Sequence, residues 1–282
     1  MAALSTGELL RRAVGWSLGH AGVLALLSAP AIVFALVLRF AIAWLWGDDI
    51  AALFTTETPS GAGGLALLLS MLVLLFTIAL IAVAWHRFVL TGQMAPFPAD
   101  AATLRFAVYQ IWLGFLGLLS AMAGVFVLSI VFGLVGGPSL MPSLAAAGPS
   151  GDGLAALSAS AVLTALGTVP FAFYGLVLPA AAIGDRGLVA AESRRLLRGH
   201  RMAALGALVA ATLAFLVIAY GLGLVLDAVL PDAEGPGLVT VLADLVSLAL
   251  TALEVSVFAG VLAELYRALR LPELSRNGTA PE

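Results

Sequence analysis

The side chains in this sequence best suited to chemistry lie where charge is most costly, inside a long apolar stretch near the C-terminus. Asp244, Ser247, Thr251 and Glu254 are spaced by three, four and three residues, so a helix carries them along one stripe. A carboxyl at the centre of a membrane helix costs about 2.5–3.5 kcal/mol on insertion scales, so the stripe has to face other helices or water. Two roles fit it. In one, the acids are separate stations of a proton or cation relay; in the other, the stripe is a polar seam that binds its helix to neighbours. The seam asks less of the residues and is preferred. Asp244 and Glu254 stand ten residues apart, about 15 Å along a helix, so they cannot share one proton.

Arg39 is the one arginine within an apolar block. Its expected depth matches that of Asp227 and Asp244, and an ion pair with either would offset the burial of both charges. The other reading has Arg39 reaching outward to Asp48 or Asp49. Other chemical repertoires are thin. There is no cysteine, and His20, His86 and His200 are far apart, so no metal site or catalytic triad is expected. All 13 basic residues are arginine, which excludes a P-loop lysine. No cofactor, no catalytic set and no nucleic-acid partner is expected.

The elements that must position these residues follow from composition. Of 282 residues, 62% are hydrophobic and 10% charged, against about 25% charged in soluble domains; mean hydropathy is +1.12. The apolar residues come in blocks long enough to cross the hydrocarbon core as helices, whereas a β-barrel would need short alternating strands. The expected fold class is all-α: a polytopic integral membrane protein with six transmembrane helices at about 20–46, 64–85, 106–135, 154–183, 203–230 and 238–266. Residues 1–19 are expected to form an interfacial helix opened by a capping box at Ser5-Thr6-Gly7-Glu8, and 267–282 a tail.

Arginine placement sets the expected orientation. Arg11 and Arg12, then Arg87 and Arg105, then Arg186 through Arg201, then Arg267, Arg270 and Arg276 occupy alternate connections. The connections between hold Asp48, Asp49 and Glu57, then Asp152, then Asp232 and Glu234. Excess arginine marks the cytoplasmic side, so both termini are expected there, in a bacterial inner membrane. Trp16, Trp44, Trp46, Trp85 and Trp112 fall near expected span ends, as an interfacial aromatic belt would. Pro30, Pro170 and Pro179 are expected to kink their helices. Small residues at four-residue spacing, Gly117 with Ala121 and Ala203 with Ala207 and Ala211, let helices approach closely. Between the fourth and fifth spans, Arg194, Arg195, Arg198 and Arg201 alternate with apolar residues, as in a basic amphipathic helix that contacts anionic lipid headgroups.

The run Leu178-Pro179-Ala180-Ala181-Ala182-Ile183-Gly184-Asp185-Arg186-Gly187-Leu188, with Arg194 and Gly199-His200 beyond it, resembles a pattern in bacterial inner-membrane proteins of the YciC-like type. The same pattern occurs in the membrane domains fused to some glycerophosphodiester phosphodiesterases. The resemblance covers about a third of the chain, and no phosphodiesterase domain accompanies it. Ala84-Trp85-His86-Arg87-Phe88-Val89-Leu90 is similar to a segment in alphaproteobacterial proteins. The expectation is a multi-pass, non-enzymatic membrane protein with a structural, envelope-organising or partner-binding role. Its partners would be membrane lipid and a membrane protein or a second copy. The alternative is a small transporter or channel using the acids of the sixth span, which a water-accessible cavity at Asp244 and Glu254 would favour over dry side-chain pairing.

Overall fold

The computed structural model describes residues 4–55, 61–136, 153–229 and 238–277. Among these residues it is all-helical, with no strand. In chain order the helices are α1 (Thr6–Gly19), α2 (Ala21–Thr55), α3 (Gly61–Thr91), α4 (Ala101–Gly136), α5 (Gly153–Gly167), α6 (Val169–Tyr174) and α7 (Val177–Ile183). They continue with α8 (Ala190–Leu196), α9 (Arg201–Val229), α10 (Leu238–Leu269) and α11 (Leu271–Asn277). Five helices are long and apolar enough to cross a membrane; a bent pair, residues 158–174 with 177–183, brings the number to six if it counts as one span.

α10 is the hub. It packs against α1, α2, α3, α7 and α9, and its buried residues change neighbour along its length. Leu248 and Ala252 meet Ala31, Ile32 and Ala35 of α2 with Leu80 and Ile81 of α3. Further along, Ala259 and Ala263 meet Leu24, Leu27, Ala84 and Trp85. The outer face of α4 has the reverse character. Leu104, Val108, Ile111, Phe115, Leu118, Met122 and Phe126 recur at helical spacing and are exposed, a stripe suited to lipid or to another protein.

α1 starts as the capping box implies, with the Glu8 N–H donating to Ser5 Oγ at 3.2 Å. It does not lie free at a surface, however. Leu9, Ala13 and Ser17 are fully buried, because a Cβ on Gly260 would come within 3.1 Å of that of Ala13. The absent side chain lets α1 close on α10, and Ser256 Oγ then donates to Ser17 Oγ at 2.9 Å. α1 thus packs on the bundle along its small face.

The prolines act unequally. α2 runs through Pro30 unbroken, and its dihedrals leave the helical region only at Trp46, with φ −137° and ψ 19°. In an apolar bundle no water replaces a lost backbone bond, so persistence is favoured. The bent pair breaks on either side of α6, and its two parts diverge by 61°. Pro179 has no N–H for the Gly175 carbonyl four residues back, and Leu178 N–H takes it up instead at 3.1 Å.

Trp85 is 0% exposed. α3 continues six residues past it to Thr91, so this indole packs in the core and is not part of a belt. Trp112 meets Tyr174 edge-on at 5.5 Å between ring centroids.

Candidate functional site

α10 carries the acidic stripe, and its four members have different surroundings. Arg39 Nη2 forms an ion pair with Asp244 Oδ1 at 3.1 Å, with both side chains about one third exposed, 37% and 33%. The other considered partner, Asp227, has its side chain outside the described residues. Ser247 is exposed, and the Thr251 hydroxyl turns back on its own helix to donate to the Ser247 carbonyl at 2.9 Å. Glu254 is half-buried, and among the described residues it has no hydrogen bond or ion pair. At Glu254 the stripe thus carries a carboxyl with no paired side chain among the described residues.

Two cavities meet at Glu254. The first, about 230 Å³, lies among α3, α4, α6, α7 and α10, lined by Ile78, Ala82, His86, Phe106, Gln110, Phe171, Leu178 and the Thr251–Leu262 face of α10. The second, about 250 Å³, lies among α5, α9 and α10 and is lined by Thr164, Thr212, Phe215, Leu216, Ala219, Ser247 and Leu250. Thr251 and Glu254 belong to both walls. The first cavity is mostly apolar, yet two polar atoms on its lining residues are buried without a partner: His86 Nδ1 and Gln110 Oε1. His86 is 1% exposed and its ring is held against Phe106, 5.8 Å between centroids. An unpartnered buried polar atom costs about 1–3 kcal/mol, so native structures leave few of them. Both atoms are closed off from the cavity's space, so Glu254, unpaired among the described residues, is the polar group of this wall left for a ligand or water.

The bent pair shapes this cavity. Phe171 of α6 and Leu178 of α7 line it, and Gly175 lies between them where a Cβ would come within 2.8 Å of Leu262 Cδ2. Irregular backbone inside a membrane protein is tolerated where it is buried in protein or lines a cavity, and this break does both.

The arginine-bearing connections gather at one end of the bundle and lock it. Arg87 Nε donates to the Ala182 carbonyl at 2.9 Å and its Nη2 to Asp100 at 2.6 Å. Arg267 Nη2 donates to the Val89 carbonyl at 2.5 Å. Gly184, with φ +82°, ends α7 in a left-handed cap, and Asp185 N–H bonds back to the Ala180 carbonyl at 2.9 Å. That turn aims the Asp185 carboxylate at Tyr266, whose hydroxyl donates at 2.8 Å, and at Arg270 Nε at 3.2 Å. Burial pushes the Asp185 carboxyl up, but the bonds from Arg270, Tyr266 and the Gly187 N–H outweigh it, so the group sits below the usual carboxylate range. Asp100 is likewise held low, burial being outweighed by the Thr103 N–H and Arg87.

The four arginines proposed as headgroup contacts divide. Arg195 bonds Glu192 at 2.5 Å and Glu273 at 3.2 Å, and Arg201 lies 4.6 Å over the Phe173 ring while donating to the Arg194 carbonyl. Arg194 and Arg198 side chains are exposed. The segment carrying them is one short helix and a 3-10 turn, anchored by buried Leu188 and Leu197.

His86 and Gln110 were missed in the sequence as site residues. Gln110 was legible as a lone amide in an apolar block, but His86 was set aside because its only visible partners were distant histidines. Among the described residues no group of three or more His, Asp or Glu could hold a metal ion. Comparison of the chain with protein-family models, with curated proteins and with solved structures finds no match.

Proposed function

We propose that the protein is a small carrier or channel whose solute passes along α10, with Glu254 as its station. The observation that carries this reading is the position of Glu254, unpaired among the described residues in the common wall of two cavities that adjoin along one face of α10. A carboxyl in a structural seam would be satisfied by neighbours, whereas a transport station has to be free to exchange its partner. Ionisable groups inside a membrane domain mark solute pathways, and a broken helix beside one is a recurring feature of transporters. In this reading the bent pair is one span, giving six in a bacterial inner membrane with both termini cytoplasmic. Clustering of the arginine connections at one end of the bundle supports that orientation.

A second reading, a non-enzymatic partner-binding or envelope-organising protein, is favoured by the exposed apolar stripe of α4 from Leu104 to Phe126. The two readings separate by access. Because the chain has no cysteine, single substitutions give clean labelling with a small cationic thiol reagent in vesicles of known orientation. Thr251→Cys and Ile78→Cys should react, and Leu80→Cys, in the packed α2–α3 contact, should not. Arg198→Cys should react from the cytoplasmic side. No reaction at either cavity position would end the carrier reading, and reaction of Arg198→Cys from the outside would reverse the orientation.

A further inference from the structure

The larger share of the first cavity's lining is aromatic and aliphatic, and its one charged group is a carboxyl. Phe106, Phe171 and Phe258 contribute three rings to the wall, and Glu254 contributes a carboxyl with no partner among the described residues. Gln110 Oε1 and His86 Nδ1 belong to lining residues but are closed off from the cavity's space. An ionised carboxylate accepts hydrogen bonds and donates none. The complement of an acceptor-only carboxyl and three π faces is a group with N–H donors and a positive charge.

From this we infer that the site takes a small organic ammonium ion with an apolar body. The inference rests on the carrier reading of Glu254 and names its solute class. The ammonium pairs with Glu254, while the rings of Phe106, Phe171 and Phe258 line the space for its charged end and its hydrocarbon part. Volume agrees with a body of this kind. A dry apolar cavity of roughly 150 Å³ accepts benzene, so about 230 Å³ holds one ring with a short amine arm. A bare metal cation fits poorly, because calcium takes roughly six to eight oxygen ligands and magnesium about six, whereas this lining offers one carboxyl. An anion is opposed by Glu254, and a neutral hydrocarbon would leave that carboxyl unpartnered.

The test uses the purified full-length protein in nanodiscs and three probes of like shape: phenethylamine, phenethyl alcohol and 3-phenylpropionate. Titration calorimetry should show phenethylamine binding at least tenfold tighter than the alcohol, with no binding of the carboxylate. Glu254→Gln should lose at least tenfold for the amine while melting at the wild-type temperature. Equal binding of amine and alcohol, or unchanged amine binding by Glu254→Gln, would overturn the assignment. The same amine should protect Thr251→Cys from the thiol reagent. Labelling without protection sinks the ammonium assignment and leaves the carrier reading standing, whereas no labelling sinks the carrier reading itself.

Discussion

Replacing Asp185 by asparagine removes one charge from the contact that docks the segment after α7 onto α10. The carboxylate accepts from Tyr266 Oη at 2.8 Å, from Gly187 N–H at 2.9 Å and from Arg270 Nε at 3.2 Å. The side chains of Asp185 and Arg270 are 8% and 11% exposed. Asparagine keeps one acceptor oxygen, so either the Gly187 N–H or the Tyr266 and Arg270 donors lose theirs; with the oxygen kept on Gly187, Arg270 retains only Glu273 at 3.6 Å. Losing one partner of a buried pair costs about 3–5 kcal/mol, and losing one charge-assisted hydrogen bond about 1.5–3. The residual Glu273 contact places Asp185→Asn toward the lower range, about 2–3 kcal/mol, or about 4–12 °C in melting temperature. The pH dependence has a definite sign. The folded-state pKa of Asp185 is lowered, so its contribution is fully present above the unfolded value, about 3.9, and is lost as pH falls through the lower folded value. Thermal melts of solubilised protein from pH 7 to 3 should therefore show a constant gap between wild type and variant down to about pH 5, closing below about pH 4. Coincident melts at pH 7, or a gap that widens in acid, would refute the contact as described.

Two further outcomes are expected. Gly117→Ala should destabilise the packing of α4 on α5 by about 1–3 kcal/mol, because the added Cβ would come within 2.6 Å of the Gly167 carbonyl oxygen; a melting temperature equal to wild type would show that the helices separate freely. Arg194→Gln with Arg198→Gln should weaken binding to anionic nanodisc lipid by about 1 kcal/mol each near the surface, and Arg195→Gln by less, since Glu192 and Glu273 already hold it; equal effects from all three, measured by native mass spectrometry, would deny that division.

What the sequence made legible was what depends on local pattern. Apolar blocks near span length gave the helical class, Ser5 and Glu8 the start of α1, and Gly117 and Ala207 the close contacts, since each depends on residues within a turn or on side-chain size. Depth and facing were harder to read. Trp85 looked like a belt residue because the end of α3 was set at residue 85, yet the helix runs on through an apolar and arginine-bearing turn to Thr91. α1 looked interfacial because Arg11 and Arg12 mark a polar face, but the complement to its small face, Gly260 and Ser256, lies some 240 residues away. The cavity was hidden for the same reason, since His86, Gln110, Phe171 and Glu254 come from four helices with no common spacing.

The bent pair and the locked end of the bundle are complementary. α7 is fixed from several sides: Val177 to Ala182 are buried, its C-terminal carbonyls are taken by Arg87 and by the Gly184 cap, and Asp185 ties the next residues to α10. α6 joins α7 through Gly175 and α5 through Thr168, neither an uninterrupted helical junction. A single straight helix here would align Phe171 and Leu178, seven residues apart, along one face. The 61° bend turns the two segments relative to one another while both keep a side chain on the cavity. The cost of the break is limited locally, since Leu178 N–H recovers the Gly175 carbonyl and the Thr168 hydroxyl donates to that of Ala165 at 2.8 Å. Gly175 is the residue on which this depends, because a Cβ there would come within 2.4 Å of the Phe171 carbonyl oxygen and 2.8 Å of Leu262 Cδ2 on α10, one turn from Phe258 and two from Glu254. A side chain at this position would thus disturb both the backbone of the break and the α10 wall of the candidate site.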